Sequence, residues 1–268
     1  MRPIIYYRGI EFEKEELEAA SKEFFCTNRF PEIWEDDIVV GRYSLWPFYK
    51  DQQADIRFVG AKLINTYNQH LYIADLGNYV ADLAELTPRT WNNPLDLPEG
   101  CSFVVKGETN SRKSNWLKDM FAKDKATAID ICNRLSNDSL IGNQKIYFRE
   151  YIPLLKFLDG VNGMPVTKEY RFFVAYGKVL CGGFYWQNYI DDISSSVDHN
   201  EVPQEFLQKV INRVGNQSNF YVIDVARTQS GEWIVIELNE GQQAGLSAVD
   251  PNVLYRNLAM AIKLEHKL

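Results

Sequence analysis

The side chains of this chain best equipped for chemistry are two carboxylates and an amide, Asp224, Glu237 and Asn239. They lie between Phe220 and Asn239, where two β-branched, aromatic-rich runs flank a Gln229-Ser230-Gly231 turn. That pattern predicts an antiparallel hairpin. Period 2 puts Phe220, Val222 and Asp224 on one face of its first strand, and Trp233, Val235, Glu237 and Asn239 on one face of its second. Pairing of Thr228 with Trp233 across the turn would set Asp224 directly opposite Glu237. Like charges placed so close disfavour each other unless a cation lies between them. An all-oxygen set suits Mg²⁺, which takes one or two carboxylates and completes its shell with phosphate oxygens and water. An isolated Glu-Leu-Asn would read as the wet face of a hairpin. Here apolar strands enclose it and the loop from Glu240 to Gly245 opens towards a helix, so the reading is a metal site.

Cations stand where such a site would need them. Cys101 to Gly107 reads as a buried strand carrying Lys106 near its end, and the stretch Glu108 to Asn115 after it is polar throughout. A loop of that kind can fold over a ligand, and a Lys or Arg within it could meet phosphates; a solvated turn is the plain alternative. Thr167 to Tyr176 and Lys178 to Trp186 read as a second hairpin about Gly177, with Glu169, Arg171 and Phe173 on one face. An arginine between Tyr170 and Phe172 in a sheet must be paired or point into a polar site.

The rest of the chain supplies elements to hold these groups. Pro3 to Tyr7 reads as a strand, Glu11 to Phe25 as a helix with Leu17, Ala20, Phe24 and Phe25 on its apolar stripe, and Asp37 to Val40 as a second strand. A β-α-β opening favours a parallel pair with a right-handed crossover. Arg8 and Arg42 follow its strands and could face a crevice at their carboxyl ends. Ile56 to Asn65 is strand- or helix-like. Leu71 to Leu86 reads as a helix with Ile73, Leu76, Val80 and Leu83 inward, broken at Thr87-Pro88-Arg89-Thr90. Ala126 to Leu135 and Pro203 to Val214 read as helices, Lys145 to Ile152 as a strand stopped by Pro153, and residues 187–200 as a polar loop carrying His199. Asp250 and Pro251 form a cap for a closing helix through Leu264.

Composition sets outer bounds. A chain of 268 residues can bury a large core as one composite domain or two packed ones. Its net charge of -7 argues against broad binding to nucleic acid or anionic membranes. The four cysteines, Cys26, Cys101, Cys132 and Cys181, lack CxxC spacing and read as free thiols of a reducing compartment. No apolar run approaches the ~20 residues of a membrane span, and the strand-like opening gives no sign of a signal peptide. The expectation is a soluble, cytoplasmic protein.

The order of these pieces resembles the ATP-grasp superfamily, in particular its carboxylate–amine ligases. The chain shows Val105-Lys106-Gly107, then Arg149-Glu150-Tyr151-Ile152, Glu169-Tyr170-Arg171, Asp224, and Glu237-Leu238-Asn239, in the order of that superfamily. The resemblance covers about residues 100–265, and the first hundred in outline. It implies an α/β (α+β) ATP-grasp fold: a small N-terminal α/β domain over 1–98 and an ATP-grasp domain over 99–268. The latter would divide into a lysine-bearing part, 99–150, and a metal-binding part, 151–268, clasping the nucleotide. It further implies that Lys106 contacts the α- or β-phosphate and that the backbone of Glu150, Tyr151 and Ile152 meets adenine. Asp224, Glu237 and Asn239 would hold one or two Mg²⁺ ions, and Arg171 would stabilise the transferred phosphoryl group. The implied reaction turns ATP and a carboxylate into ADP and an acyl phosphate, which an amine attacks; the substrates could be small molecules, peptides or proteins.

Two features depart from the superfamily pattern. The loop after Lys106 carries a single glycine, Gly107, and no second ATP-binding lysine is evident before it, although Arg89 could substitute. The alternatives are a kinase built on the same core or a non-catalytic nucleotide-binding module. A nucleic-acid ligase would need a Lys-x-Asp/Asn-Gly context that Lys106-Gly107-Glu108 does not supply.

Overall fold

The run Pro3–Tyr7 (β1) buries Ile4, Ile5 and Tyr6 and seeds the first sheet of the chain, seen here in a computed structural model that describes residues 2–9, 14–44, 47–187 and 197–267. After α1 (Lys14–Ala20), strands β2 (Phe25–Thr27) and β3 (Ile38–Arg42) lie parallel to β1 on either side. Helix α2 (Tyr49–Phe58) leads to β4 (Lys62–Leu63), parallel to β3, completing the order β2-β1-β3-β4. The expected β-α-β unit is present, with one correction. The helix stops at Ala20; Phe24 turns into the core, and Phe25 opens an edge strand whose ladder with Ile4 to Tyr6 replaces the helical bonds. Glu11, Phe12 and Glu13, where that helix was expected to start, lie outside the described residues.

The helix expected over Leu71 to Leu86 is two, α3 (Tyr67–Ala74) and α4 (Leu76–Tyr79). Asp75 divides them: its backbone is extended and its carboxylate accepts the Gly77 N–H at 2.8 Å, capping the second piece. Ile73, Leu76 and Leu83 still point inward.

Strand β5 (Thr90–Trp91), β6 (Phe103–Gly107), helix α5 (Trp116–Asp119), β7 (Phe121–Ala122), helix α6 (Lys125–Leu135) and β8 (Ile146–Glu150) build a second sheet, order β5-β8-β6-β7, antiparallel throughout. Asp124 caps α6 by accepting the Thr127 N–H at 2.8 Å. Ala128, Ile131 and Leu135 of α6 form one core with Phe103, Val105 and Phe148. Strand alternation then turns Val104 and Lys106 to the other face, towards a cleft.

A short ribbon, β9 (Lys156–Asp159) with β10 (Pro165–Thr167), precedes the central sheet. This contains β11 (Glu169–Ala175), β12 (Lys178–Phe184), β13 (Phe220–Arg227) and β14 (Trp233–Glu240), in the antiparallel order β12-β11-β13-β14. One face packs on α7 (Gln204–Val214) and the segment around Leu83; the other packs on β1, β3, α1 and α8 (Pro251–His266). Cover on both faces explains why β13 reads as an unbroken apolar run in which one acid stands out. Of the polar loop expected over 187–200, residues 188–196 lie outside the described residues; His199 opens a short turn through Glu201.

Asp224 does lie opposite Glu237, but the pairing expected nearer the turn is shifted by one residue. Arg227 pairs with Trp233 and Val225 with Val235, and a β-bulge at Ile236 restores the register at Asp224 and Glu237. The extra residue reverses the strand's parity. Trp233 and Val235 therefore join Leu238 in the α7 core, whereas Glu237 and Asn239 share the opposite face, correcting the single-face expectation.

Candidate active site

Strand pairing alone brings the acids together, and side-chain partners then fix them. Arg171, directly opposite Asp224 on β11, donates to both of its oxygens at 2.9 and 2.8 Å. A third N–H of Arg171 goes to the carbonyl of Gly245 at 2.7 Å, and the Tyr185 ring covers the guanidinium at 4.8 Å. Asn239 donates its amide to Asp224 at 2.9 Å. The expected pairing requirement of Arg171 is met inside the site itself.

Lys106 arrives from the other sheet and donates to Glu237 at 2.6 Å, closing the gap between β6 and β14. The polar loop contributes Lys113, which lies 3.9 Å from the other oxygen of Glu237, donates to Tyr185 at 2.6 Å and sits over that ring. Arg112, its neighbour, turns away to Asp138. Lys113 thus stands beside the acids where the sequence showed no second lysine before the strand. Arg89 does not take that place: it is exposed and paired with Glu150 at 2.8 and 2.9 Å. Arg42 is buried against Glu16 and the carbonyls of Gly241, Gln242 and Ala244, so it braces the loop after β14 and does not face a ligand. Arg8 lies over the Tyr43 ring.

Between the two sheets runs a cleft of about 370 Å³. Val104, Lys106 and Arg149 line one wall, Ile234, Ile236 and Glu237 another, and Glu150, Tyr151 and Ile152 lie at its back. The N–H groups of Glu150 and Tyr151 are given to the Arg89 and Ser102 carbonyls at 2.8 Å each, so of the three only the Ile152 N–H has no acceptor among the described residues. Arg149 is buried; it donates to the Ile236 carbonyl at the bulge and to the Thr87 hydroxyl at 2.6 Å. Arg149 heads the run through Ile152, but the sequence assigned it no role, and nothing in the sequence marked the bulge. Glu169, 3% exposed, also lines the cleft, and one of its oxygens has no hydrogen-bond partner among the described residues.

Electrostatics separates the three carboxyls. Burial would raise Glu237, but Lys106, Lys113 and Arg171 outweigh it and hold the group well below the usual carboxylate range. Asp224, with no exposure, is raised by burial against the opposing pull of Arg171. Burial pushes Glu169 up to about 8, countered in part by Lys113. Among the described residues no three His, Cys, Asp or Glu side chains form a cage for a metal ion. Two facing carboxylates and an amide ringed by cations fit an ion that draws its remaining ligands from phosphate and water, as Mg²⁺ does.

This clasp of two sheets over an acid–lysine cluster defines an ATP-grasp protein. Within that class the chain belongs to the family described as ATP-grasp domain, R2K clade family 3, which it matches over residues 96–258. The fold is shared with D-cycloserine synthetase DcsG (TM-score 0.63, 16% identity, 98% of this chain and 99% of that one). It is shared too with the ATP-grasp ligase PsnB complexed with a minimal precursor (TM-score 0.59, 14% identity, 97% and 99%). A third similar structure is N5-carboxyaminoimidazole synthase from Aspergillus clavatus in complex with ADP and 5-aminoimidazole ribonucleotide (TM-score 0.60, 11% identity, 97% and 77%). A sequence search of curated proteins returns no match. No helix among the described residues is long and apolar enough to cross a membrane.

Proposed function

We propose that the protein is an ATP- and Mg²⁺-dependent ligase that activates a carboxylate as an acyl phosphate for attack by an amine. The observation that carries this reading is the delivery of Lys106 from one sheet to within 2.6 Å of Glu237 on the other, opposite Asp224. Adenine would lie against the Ile152 N–H between Val104 and Ile236, and Glu169, which lines the same cleft, would meet a ribose hydroxyl. Lys106 and Lys113 exchange Glu237 for phosphate oxygens. Arg171 orients Asp224 and has two further N–H groups with which to meet the transferred phosphoryl group. Asp224, Glu237 and Asn239 would hold Mg²⁺, which when bound neutralises phosphate charge. Chemistry of this type needs positioning and charge stabilisation more than covalent help. PsnB has been solved with a precursor peptide, so a peptide is one acceptor class to screen.

We also propose a division near residue 98, with Thr90–Trp91 reaching forward to pair in the lysine-bearing sheet. The four free thiols favour a reducing, cytoplasmic setting.

Calorimetric titration of ADP with and without Mg²⁺, on the wild type and on Glu237→Ala, tests the site. Mg²⁺-dependent binding that the substitution abolishes is expected; a folded wild type that binds no nucleotide would overturn the proposal. Hydroxamate formation from ATP, a carboxylate and hydroxylamine distinguishes a ligase from a kinase, which would phosphorylate an acceptor without forming it.

A further inference from the structure

Beyond the Lys106–Glu237 pair, away from the nucleotide cleft, lies a second cavity of about 230 Å³. Lys106 and Glu237 are the two residues that line both spaces. A phosphate held at this pair would therefore present its outer face to the second cavity. The volume falls below the roughly 300–1,000 Å³ of sites that enclose drug-sized ligands, which leaves room for a molecule of amino-acid size.

The described lining carries three carboxylates, Glu108, Glu237 and Glu240, against one ammonium, Lys106. His70, stacked on Tyr49 at 4.0 Å, adds no charge at neutral pH because burial pulls its imidazole down to about 4. Two of the acids are committed. Glu237 takes Lys106, and Glu240 accepts from Asn65 at 2.6 Å and from the side chain and backbone of Gln242 at 2.9 and 2.8 Å. Glu108 is less so: it is half-buried, burial and Asp75 raise its carboxyl, and its partners are the backbone N–H and the ammonium of Lys145, an ammonium already held by Asp75 at 2.6 Å. A second, independent feature lines the same cavity, from the segment after β14. The side-chain nitrogen of Gln243 is buried and has no partner among the described residues. A buried amide donor left unmatched is unfavourable unless an acceptor arrives.

We infer that this cavity receives a small amine, a molecule of amino-acid size whose ammonium meets Glu108 and whose carbonyl or hydroxyl oxygen meets the Gln243 amide. The inference rests on the nucleotide site proposed above and names the amine acceptor of that ligase. The same charge balance disfavours a small anion, since the described lining offers no arginine to receive it.

Three isosteric probes read this directly on protein saturated with Mg²⁺ and ADP: alaninamide, a cation; lactamide, neutral; and lactate, an anion. Calorimetric titration is expected to rank alaninamide at least tenfold above lactamide, with lactate weakest. Glu108→Gln should collapse the preference for alaninamide, while Glu108→Asp, which keeps the charge, should retain it; Mg²⁺·ADP binding reports that each variant is folded. Lactate binding as tightly as alaninamide, no alaninamide binding at all, or a preference unchanged in Glu108→Gln would overturn the amine assignment alone. A wild type that fails to bind Mg²⁺·ADP would overturn the nucleotide reading and this inference with it.

Discussion

Glu169 is the residue whose environment makes the sharpest demand. It sits at the foot of β11, 3% exposed, with one oxygen unpartnered among the described residues and its carboxyl pushed up to about 8 by burial. Below the ordinary glutamate value of 4.5, folded and unfolded chains both keep the proton and the group contributes nothing to pH dependence. Between 4.5 and about 8 the unfolded chain releases it while the folded chain retains it, so stability falls as pH rises; above that range the loss is complete. The cost is on the order of a few kcal/mol, since each tenfold change in proton affinity between the two states is worth about 1.4 kcal/mol. Glu169→Gln is always neutral and removes this slope. Urea denaturation should find the variant and wild type alike near pH 4.5 and the variant more stable near pH 8.5. Parallel pH profiles would show that Glu169 ionises normally. The lone acid in an apolar strand was visible in the sequence as part of Glu169-Tyr170-Arg171; the orphaned oxygen was not, because its surroundings depend on Lys113 and Trp186 arriving from elsewhere in the chain, while the other oxygen takes the nearby Thr167 hydroxyl.

At the scale of elements, the site depends on how closely β12 approaches the segment after β14. A Cβ at Gly183 would fall 2.6 Å from the backbone of Ala248 and Val249, a distance that requires the backbone to move. That segment follows Gly245, whose carbonyl receives Arg171. Gly183→Ala should therefore cost about 1–3 kcal/mol by overpacking and also weaken Mg²⁺-dependent nucleotide binding by displacing Arg171 from Asp224. Chemical denaturation and calorimetry on the same variant check both effects; a loss of stability with nucleotide affinity intact would separate the contact from the site. Strand and hairpin positions were legible from alternation and turn residues, and so was the opposition of Asp224 and Glu237. The bulge at Ile236 was not. Its carbonyl is held by Arg149 from another sheet, 87 residues away, and local pattern carries no trace of that contact. The split of the helix at Asp75 has a similar origin: Asp75 caps locally, but it also binds Lys145 and Tyr147 at 2.6 and 2.9 Å.

Across the whole molecule, the cleft is a joint between two separately cored sheets. The lysine-bearing sheet has its own core with α6, while the central sheet is buried between α7 on one side and the N-terminal sheet with α8 on the other. Across the gap, Lys106 reaches Glu237 and Arg149 reaches Ile236. The nucleotide proposed for this cleft would contact both walls at once, so its binding should resist their separation as well as unfolding. At a ligand concentration of about 100 times Kd the stabilisation is about 2.7 kcal/mol, which for a chain of this size corresponds to roughly 5–10 °C in Tm. Scanning calorimetry should show that rise with Mg²⁺·ADP and a smaller one with ADP alone. In Lys106→Met the starting Tm should drop, because Glu237 loses its nearest counter-ion in a buried setting, where severing a pair costs up to about 3–5 kcal/mol. Lys113, 3.9 Å from Glu237, keeps the loss below that limit. The increment on adding Mg²⁺·ADP should shrink in the same variant, since one wall no longer grips the phosphates. A full increment in Lys106→Met would place the nucleotide away from Lys106, and the two sheets would then be joined by packing and Arg149 without the ligand's help.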